Sequence, residues 1–75
     1  MGDKDMALNL SYAPLWKLLI DRDMNKTQLR EKAGFSTATL AKLSKNEPVA
    51  LEVIVKICEA LNCQPGDIVE YRAEE

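Results

Sequence analysis

The nineteen residues from Asn25 to Leu43, NKTQLREKAGFSTATLAKL, hold two helix starts and one glycine stop, a density of signals that leaves few folds open. Asn25 is the first start. Its side-chain oxygen can accept the N–H groups of an opening turn, and Gln28, three residues on, can reach back to complete a capping box. Met24 and Leu29 stand at the two positions of a hydrophobic staple. The stop is Ala33-Gly34-Phe35, because glycine enters the left-handed region that ends a helix without a Cβ penalty, and Phe35 can then fold back on Leu29. Ser36 caps the next helix at once. With only Gly34, Phe35 and Ser36 between them, helices over 26–33 and 37–43 cannot lie antiparallel and must cross steeply. That unit is a helix-turn-helix.

The rest of the chain supplies its support. A first helix is expected from Ala13 to Asp23, with Pro14 tolerated in the first turn and Leu15, Leu18, Leu19 and Arg22 at three-and-four spacing. Pro48 in the loop SKNEPV blocks continuation of the helix over 37–43. A fourth helix over Leu51–Leu61 is apolar nearly all round, so it is central or meets a partner on one side. Ala50 is a poor cap for it. Pro65 and Asp67 suit the start of a short fifth helix that turns Ile68 and Val69 inward. Leu8, Leu10 and Tyr12 alternate with polar or small residues, which predicts a short N-terminal strand, and Val69 and Tyr71 can pair with it as an extended tail. The whole chain of 75 residues is read as one domain, with 1–6 disordered. Its 47% apolar content is enough for a compact core.

Charge is divided unevenly. From Trp16 to Asn46 there are seven bases (Lys17, Arg22, Lys26, Arg30, Lys32, Lys42, Lys45) and three acids, whereas Glu47–Glu75 holds two bases and seven acids. The overall −2 therefore hides a basic helix-turn-helix and an acidic remainder. Cys58 and Cys63 form no metal site by themselves in a chain without histidine, and their apolar setting favours reduced core thiols over a disulfide. No metal or other cofactor is expected. No catalytic reading survives either: histidine and a glycine-rich phosphate loop are missing, the thiols lack a base partner, and the paired acids Glu74-Glu75 have nothing to position them. The chain is read as no enzyme. No run reaches the length of a membrane span, and Met1–Asp5 lacks the layout of a signal peptide, so a cytoplasmic location is expected.

Leu29, Ala33, Gly34, Leu40 and Leu43, with Ser36 at the cap, resemble the phage-repressor/Cro-type helix-turn-helix regulators, and the resemblance runs from about Tyr12 to Tyr71. The tail LEVIVKICEALNCQPGDIVEY is similar to the two helices that follow the motif in small bacterial members. The resemblance implies an all-α, five-helix, lambda-repressor-like DNA-binding domain. One departure is Arg30, where the family usually has Ala, so its guanidinium has to snorkel outward along its aliphatic stem.

A recognition helix inserted by its N-terminus presents Thr37, Ala38 and Thr39 in the first turn, and Ala41 and Lys42 a turn further in, to base edges. Thr37 and Thr39 offer hydroxyl or methyl, Ala38 can meet a thymine methyl, and Lys42 can donate to guanine. For the threonines, an ordinary solvated helix start is an equal reading. Phosphate contacts are expected from Lys26, Thr27 and Gln28 at the start of the second helix, and from Ser44, Lys45 and Asn46 after the third. The capping box competes for Gln28. Lys17, Arg22 and Lys32 rank second. Trp16 and Tyr12 can be drawn as a stacking platform, but a lone Trp on an amphipathic helix is far more often core. The expected function is sequence-specific binding of double-stranded operator DNA as a homodimer, regulating transcription by repression. The dimer face is expected on Val53, Ile57 and Ala60, helped by the fifth helix and the Leu8–Tyr12 edge strand; the other reading packs all of it inside one chain against the first helix and that strand. The rival is a protein-interaction module, for instance an antitoxin whose acidic half covers a partner protein. Only the DNA reading needs Lys26, Lys42 and Lys45 around one motif.

Overall fold

Four residues with positive φ end the four α-helices of the described part of the chain: Asp23 (57°), Gly34 (85°), Asn46 (59°) and Asn62 (55°). The computed structural model describes residues 9–72. The order is β1 (Leu10–Ser11), α1 (Ala13–Asp21), α2 (Lys26–Ala33), α3 (Thr37–Ser44), α4 (Leu51–Leu61), one 3₁₀ turn (Pro65–Asp67) and β2 (Glu70–Tyr71). Leu8 of the expected strand, the expected disorder of 1–6 and the tail acids Glu74-Glu75 lie outside the described residues.

Each left-handed residue lets the next N–H groups fold back on the last turn. After α1, Asp23 N–H donates to Ile20 O at 3.0 Å and Met24 N–H to Leu19 O at 2.9 Å. After α3, Asn46 N–H donates to Leu43 O at 3.2 Å and Glu47 N–H to Lys42 O at 2.9 Å. After α4, Cys63 N–H reaches Cys58 O at 3.0 Å. These are Schellman-type ends, with Asp or Asn where glycine is commoner. The first of them stops α1 two residues short of the expected Asp23, while α3 runs one residue further, to Ser44.

The N-termini follow the sequence closely. Asn25 Oδ1 accepts the Gln28 N–H and Gln28 Oε1 accepts the Asn25 N–H, both at 2.8 Å, which completes the capping box. Ser36 Oγ accepts the Thr39 N–H at 3.1 Å. Ala50 caps α4 with no side-chain bond, as its methyl dictates.

The fifth helix is replaced by the 3₁₀ turn. Asp67 Oδ2 accepts the Gln64 N–H at 2.9 Å and closes the turn. Gly66 then weakens helix propagation, and the β-branched pair Ile68-Val69 leads into extended chain. That chain is β2, which pairs antiparallel with β1 in the register Leu10 with Tyr71 and Ser11 with Glu70. The fold is therefore mostly helical, with four helices among the described residues and a two-stranded sheet. The sheet takes the residues a fifth helix would need.

The core joins Tyr12, Leu15, Leu19, Leu29, Phe35, Leu43, Ile54, Ile57, Leu61 and Ile68. Every helix contributes, and α2, whose single buried residue is Leu29, packs chiefly against α4. Burying each of these side chains contributes on the order of 1.5–3 kcal/mol. Ile57 is 0% exposed, so it cannot form the expected dimer face: its side chain completes the core of its own chain. The apolar surface of α4 lies instead at Leu51, 80% exposed, and Val55, 51% exposed, one turn apart on the same side. Cys58 and Cys63 are free, half-buried thiols, as expected. No helix of the described residues is long and apolar enough to cross a membrane.

Candidate nucleic-acid interface

The recognition helix is held from below and open above. Leu43 is buried and Leu40 half-buried against the core, while Thr37, Ala38, Ala41 and Lys42 are exposed. These four share the outward side of α3, as the 3.6-residue period requires. Thr39 is only half-buried, and its Oγ1 accepts the Ser36 hydroxyl at 3.1 Å. Its hydroxyl serves the cap first, and its own proton remains for a second partner.

The other six candidates divide by what already holds them. Lys26, Thr27, Lys45 and Ser44 are exposed. Lys26 Nζ donates to Ser44 Oγ at 3.3 Å, which joins the start of α2 to the end of α3. The same ammonium lies 4.3 Å from the centre of the Trp16 ring. Gln28 spends its carbonyl oxygen on the capping box and keeps its NH₂ for an outside acceptor. Asn46 accepts the Tyr12 N–H on Oδ1 at 3.0 Å, so that it fastens the loop after α3 to the start of α1 while its NH₂ group stays available. Tyr12 tightens the same junction by donating its hydroxyl to Glu47 O at 2.8 Å.

Lys26 and the loop from Ser44 therefore meet on one side, with the exposed face of α3 beside them. Lys32 is set apart from them: it lines a shallow hollow with Lys56 and Glu59 of α4. Arg30 does as its stem requires, with 28% of the side chain exposed and its guanidinium 3.8 Å from Glu31. Among the described residues the ion pairs are this one and Arg72–Glu70, so Lys26, Lys42 and Lys45 keep their charge uncompensated by a close acid. Tyr12 is buried and belongs to no stacking surface. Trp16 is half-buried under Lys26, a position its spacing on α1 does not disclose, because Lys26 lies on the next helix and is itself held by Ser44, 18 residues further along the chain.

Two groups have raised pKa values, and neither is at this surface. Burial pushes the Tyr12 hydroxyl above the usual tyrosine range, in keeping with its role as a donor. Burial, and then the neighbouring Cys58 thiol, push Cys63 up to about 11. Both stay protonated at neutral pH, and the Cys63 thiol is correspondingly inert.

What this arrangement can do is bind. An unobstructed helix face carries hydroxyl, methyl and ammonium groups, flanked on one side by a lysine, a serine and the open end of a helix. The model of the Cro/C1-type helix-turn-helix DNA-binding domain matches residues 14–74 of the chain. The uncharacterized HTH-type transcriptional regulator YozG of Bacillus subtilis (strain 168) is 43% identical over 60 residues, which span 77% of this chain and 71% of YozG. The crystal structure of the transcriptional regulator VanUg, Form II, superposes with a TM-score of 0.85 at 57% identity, covering 91% of each chain.

Proposed function

We propose that this chain, which belongs to the Cro/C1-type helix-turn-helix DNA-binding family of transcriptional regulators, binds a specific operator sequence as a homodimer and represses transcription from the DNA it covers. The observation that carries the reading is the exposed outer face of α3 beside the Lys26–Ser44 junction. Thr37, Ala38, Ala41 and Lys42 read base edges in the major groove, with Lys42 as the strongest discriminator because an ammonium can meet guanine O6 and N7. Thr39 contributes through its remaining hydroxyl proton. Lys26, Thr27, Gln28, Ser44, Lys45 and Asn46 hold the phosphate backbone on either side and fix the depth of insertion.

One recognition helix of this length reads only a few base pairs, so two-fold pairing is required to address an operator, with half-sites about 34 Å apart. The exposed Leu51 and Val55 of α4 support such a pairing surface. Repression follows from occupancy: a dimer seated on a promoter excludes other proteins from it.

Fluorescence anisotropy with a duplex drawn from the region upstream of the chain's own coding sequence, against a shuffled duplex of equal length, tests the reading. A preference of about a thousandfold or more is expected at moderate salt. Equal affinity for the two, across several upstream windows, rejects sequence-specific regulation at that locus. Failure to bind any duplex, together with capture of a partner through the acidic half, supports the protein-interaction alternative instead.

A further inference from the structure

Trp16, Lys26 and Ser44 come from three different helices and meet at one point. Trp16 sits on α1, half-buried above an apolar hollow that it shares with Leu19, Ile20 and Met24. Lys26 is the first residue of α2, and Ser44 the last of α3. The Lys26 ammonium lies 4.3 Å from the Trp16 ring centre, inside the range in which a ring face attracts a cation. It also donates to Ser44 Oγ at 3.3 Å. An unrestrained lysine samples many rotamers and must lose that freedom when it meets a phosphate. Here two contacts on opposite elements fix the head before any DNA arrives.

We propose that Trp16 is a positioning residue for DNA binding, its indole face holding the Lys26 ammonium beside Ser44 so that Lys26 is preset for a phosphate oxygen. The inference rests on the reading of Lys26 as a phosphate contact. An ammonium has three donors. Ser44 takes one, the ring face can hold a second, and the third remains for an outside acceptor. Ser44 accepts from Lys26 with its oxygen, so its own hydroxyl proton is available to the same or the adjacent phosphate. Trp is the ring best suited to this, since its face is the most attractive to a cation. Trp16 thus acts at the interface through Lys26, without touching DNA.

A double-mutant cycle on the full chain tests it, with a fluorescein-labelled mixed-sequence duplex about three helical turns long as the probe. Lys26→Gln is expected to weaken binding and to lower the slope of log affinity against log salt by about 0.9. Trp16→Leu is expected to weaken binding about two- to fivefold in the parent. In the Lys26→Gln background it should weaken binding not at all. Thermal melting accompanies each variant, and Trp16→Phe, which keeps a weaker ring, carries the same test with a smaller loss if Trp16→Leu does not fold. As the chain's one tryptophan, Trp16 also reports directly: its emission should change when the duplex is added to the parent and stay constant in Lys26→Gln. An equal loss from Trp16→Leu in both backgrounds overturns the positioning role alone. Unchanged affinity and slope in Lys26→Gln overturn the phosphate reading of Lys26, and this inference with it. No binding of the duplex by the parent overturns both.

Discussion

The Tyr12 hydroxyl donates to the backbone carbonyl of Glu47 at 2.8 Å, across 35 residues of sequence, and ties the residue before α1 to the loop that leaves the recognition helix. The Tyr12 N–H does the same through Asn46 Oδ1. Together they fix the end of α3 against the core. Tyr12→Phe keeps the buried ring and leaves the Glu47 carbonyl short of a donor, so a loss of about 0.5–1.5 kcal/mol is expected in urea denaturation. A wild-type midpoint in this variant would mean that water replaces the hydroxyl without cost.

Gly34 has a positive φ of 85°, and a Cβ built there meets no atom within 4 Å. Substitutions at this turn therefore test backbone conformation without a steric clash. Gly34→Ala is expected to cost about 1–2 kcal/mol and Gly34→Val more, because the left-handed region brings any Cβ against its own backbone and a branched one most of all. Gly34→Asn should cost least, since Asn46 and Asn62 already hold that conformation in this chain. Equal stability of the Asn and Val variants would show that φ is not what the position demands.

The helix starts, the Gly34 stop and the bounds of α2 and α4 were legible because each depends on residues three or four apart. Asn25 with Gln28, and Ser36 with Thr39, are local bonds, and local sequence encodes them. The left-handed ends at Asp23, Asn46 and Asn62 were harder to see, since Asp and Asn are common in helix-flanking loops and enter that region only when the N–H of the next residue folds back on the helix. Met24 and Cys63 do so here. The pairing of the Val69–Tyr71 tail with the N-terminal strand was legible and is present as β2 on β1, but that it holds the fifth helix to one 3₁₀ turn is decided by a partner some sixty residues upstream. The same limit hid the Lys26–Trp16–Ser44 meeting and the Tyr12–Glu47 bond. At the candidate interface, the side chains on the face of α3 followed from helical period alone, whereas Asn46 and Thr39 turned out to hold structural bonds as well.

The Cys63 thiol is raised from its ordinary 9.0 to about 11, first by burial and then by Cys58. A pKa higher in the folded than in the unfolded state means that the folded chain holds its proton longer. The resulting stability is fully present below about pH 9 and falls as pH rises toward 11. Cys63→Ala should flatten that alkaline limb of the denaturation profile. Alkylation of Cys63 by iodoacetamide should be slow at neutral pH and climb steeply only in the same window, and fast labelling at pH 7.5 would contradict an uncharged thiol.

Lys42 and Lys45 both carry positive charge near the recognition helix but differ in position, one on its outer face and one at its end. Lys42→Ala is expected to weaken operator binding by about 1–3 kcal/mol and relax the preference at one base pair. Lys45→Ala should weaken all sequences alike and lower the salt slope by about one unit. Titrations of operator and random duplexes at several salt concentrations separate the two. If Lys42→Ala left the ratio of specific to random affinity unchanged, Lys42 would have to be moved among the phosphate contacts.

Dimerisation and DNA binding should respond to salt with opposite sign. The proposed pairing surface centres on Leu51 and Val55, which are exposed, and α4 carries Glu52 and Glu59 beside the single base Lys56. Two copies bring these acids near one another, so added salt screens a repulsion and tightens the dimer. On DNA the same salt weakens binding, because each counterion released enters a more concentrated solution and gains less entropy. Val55→Glu adds a charge to the centre of the surface without disturbing the core, since Val55 lies outside it. Sedimentation should show the parent as a dimer at micromolar concentration and Val55→Glu as a monomer with unchanged circular dichroism. The variant should lose operator affinity yet retain its weak affinity for random duplex, because each recognition helix is intact. A parent chain that stays monomeric at high micromolar concentration, and occupies its operator one chain per site, would remove the dimer from the proposal and leave the interface on α3 standing.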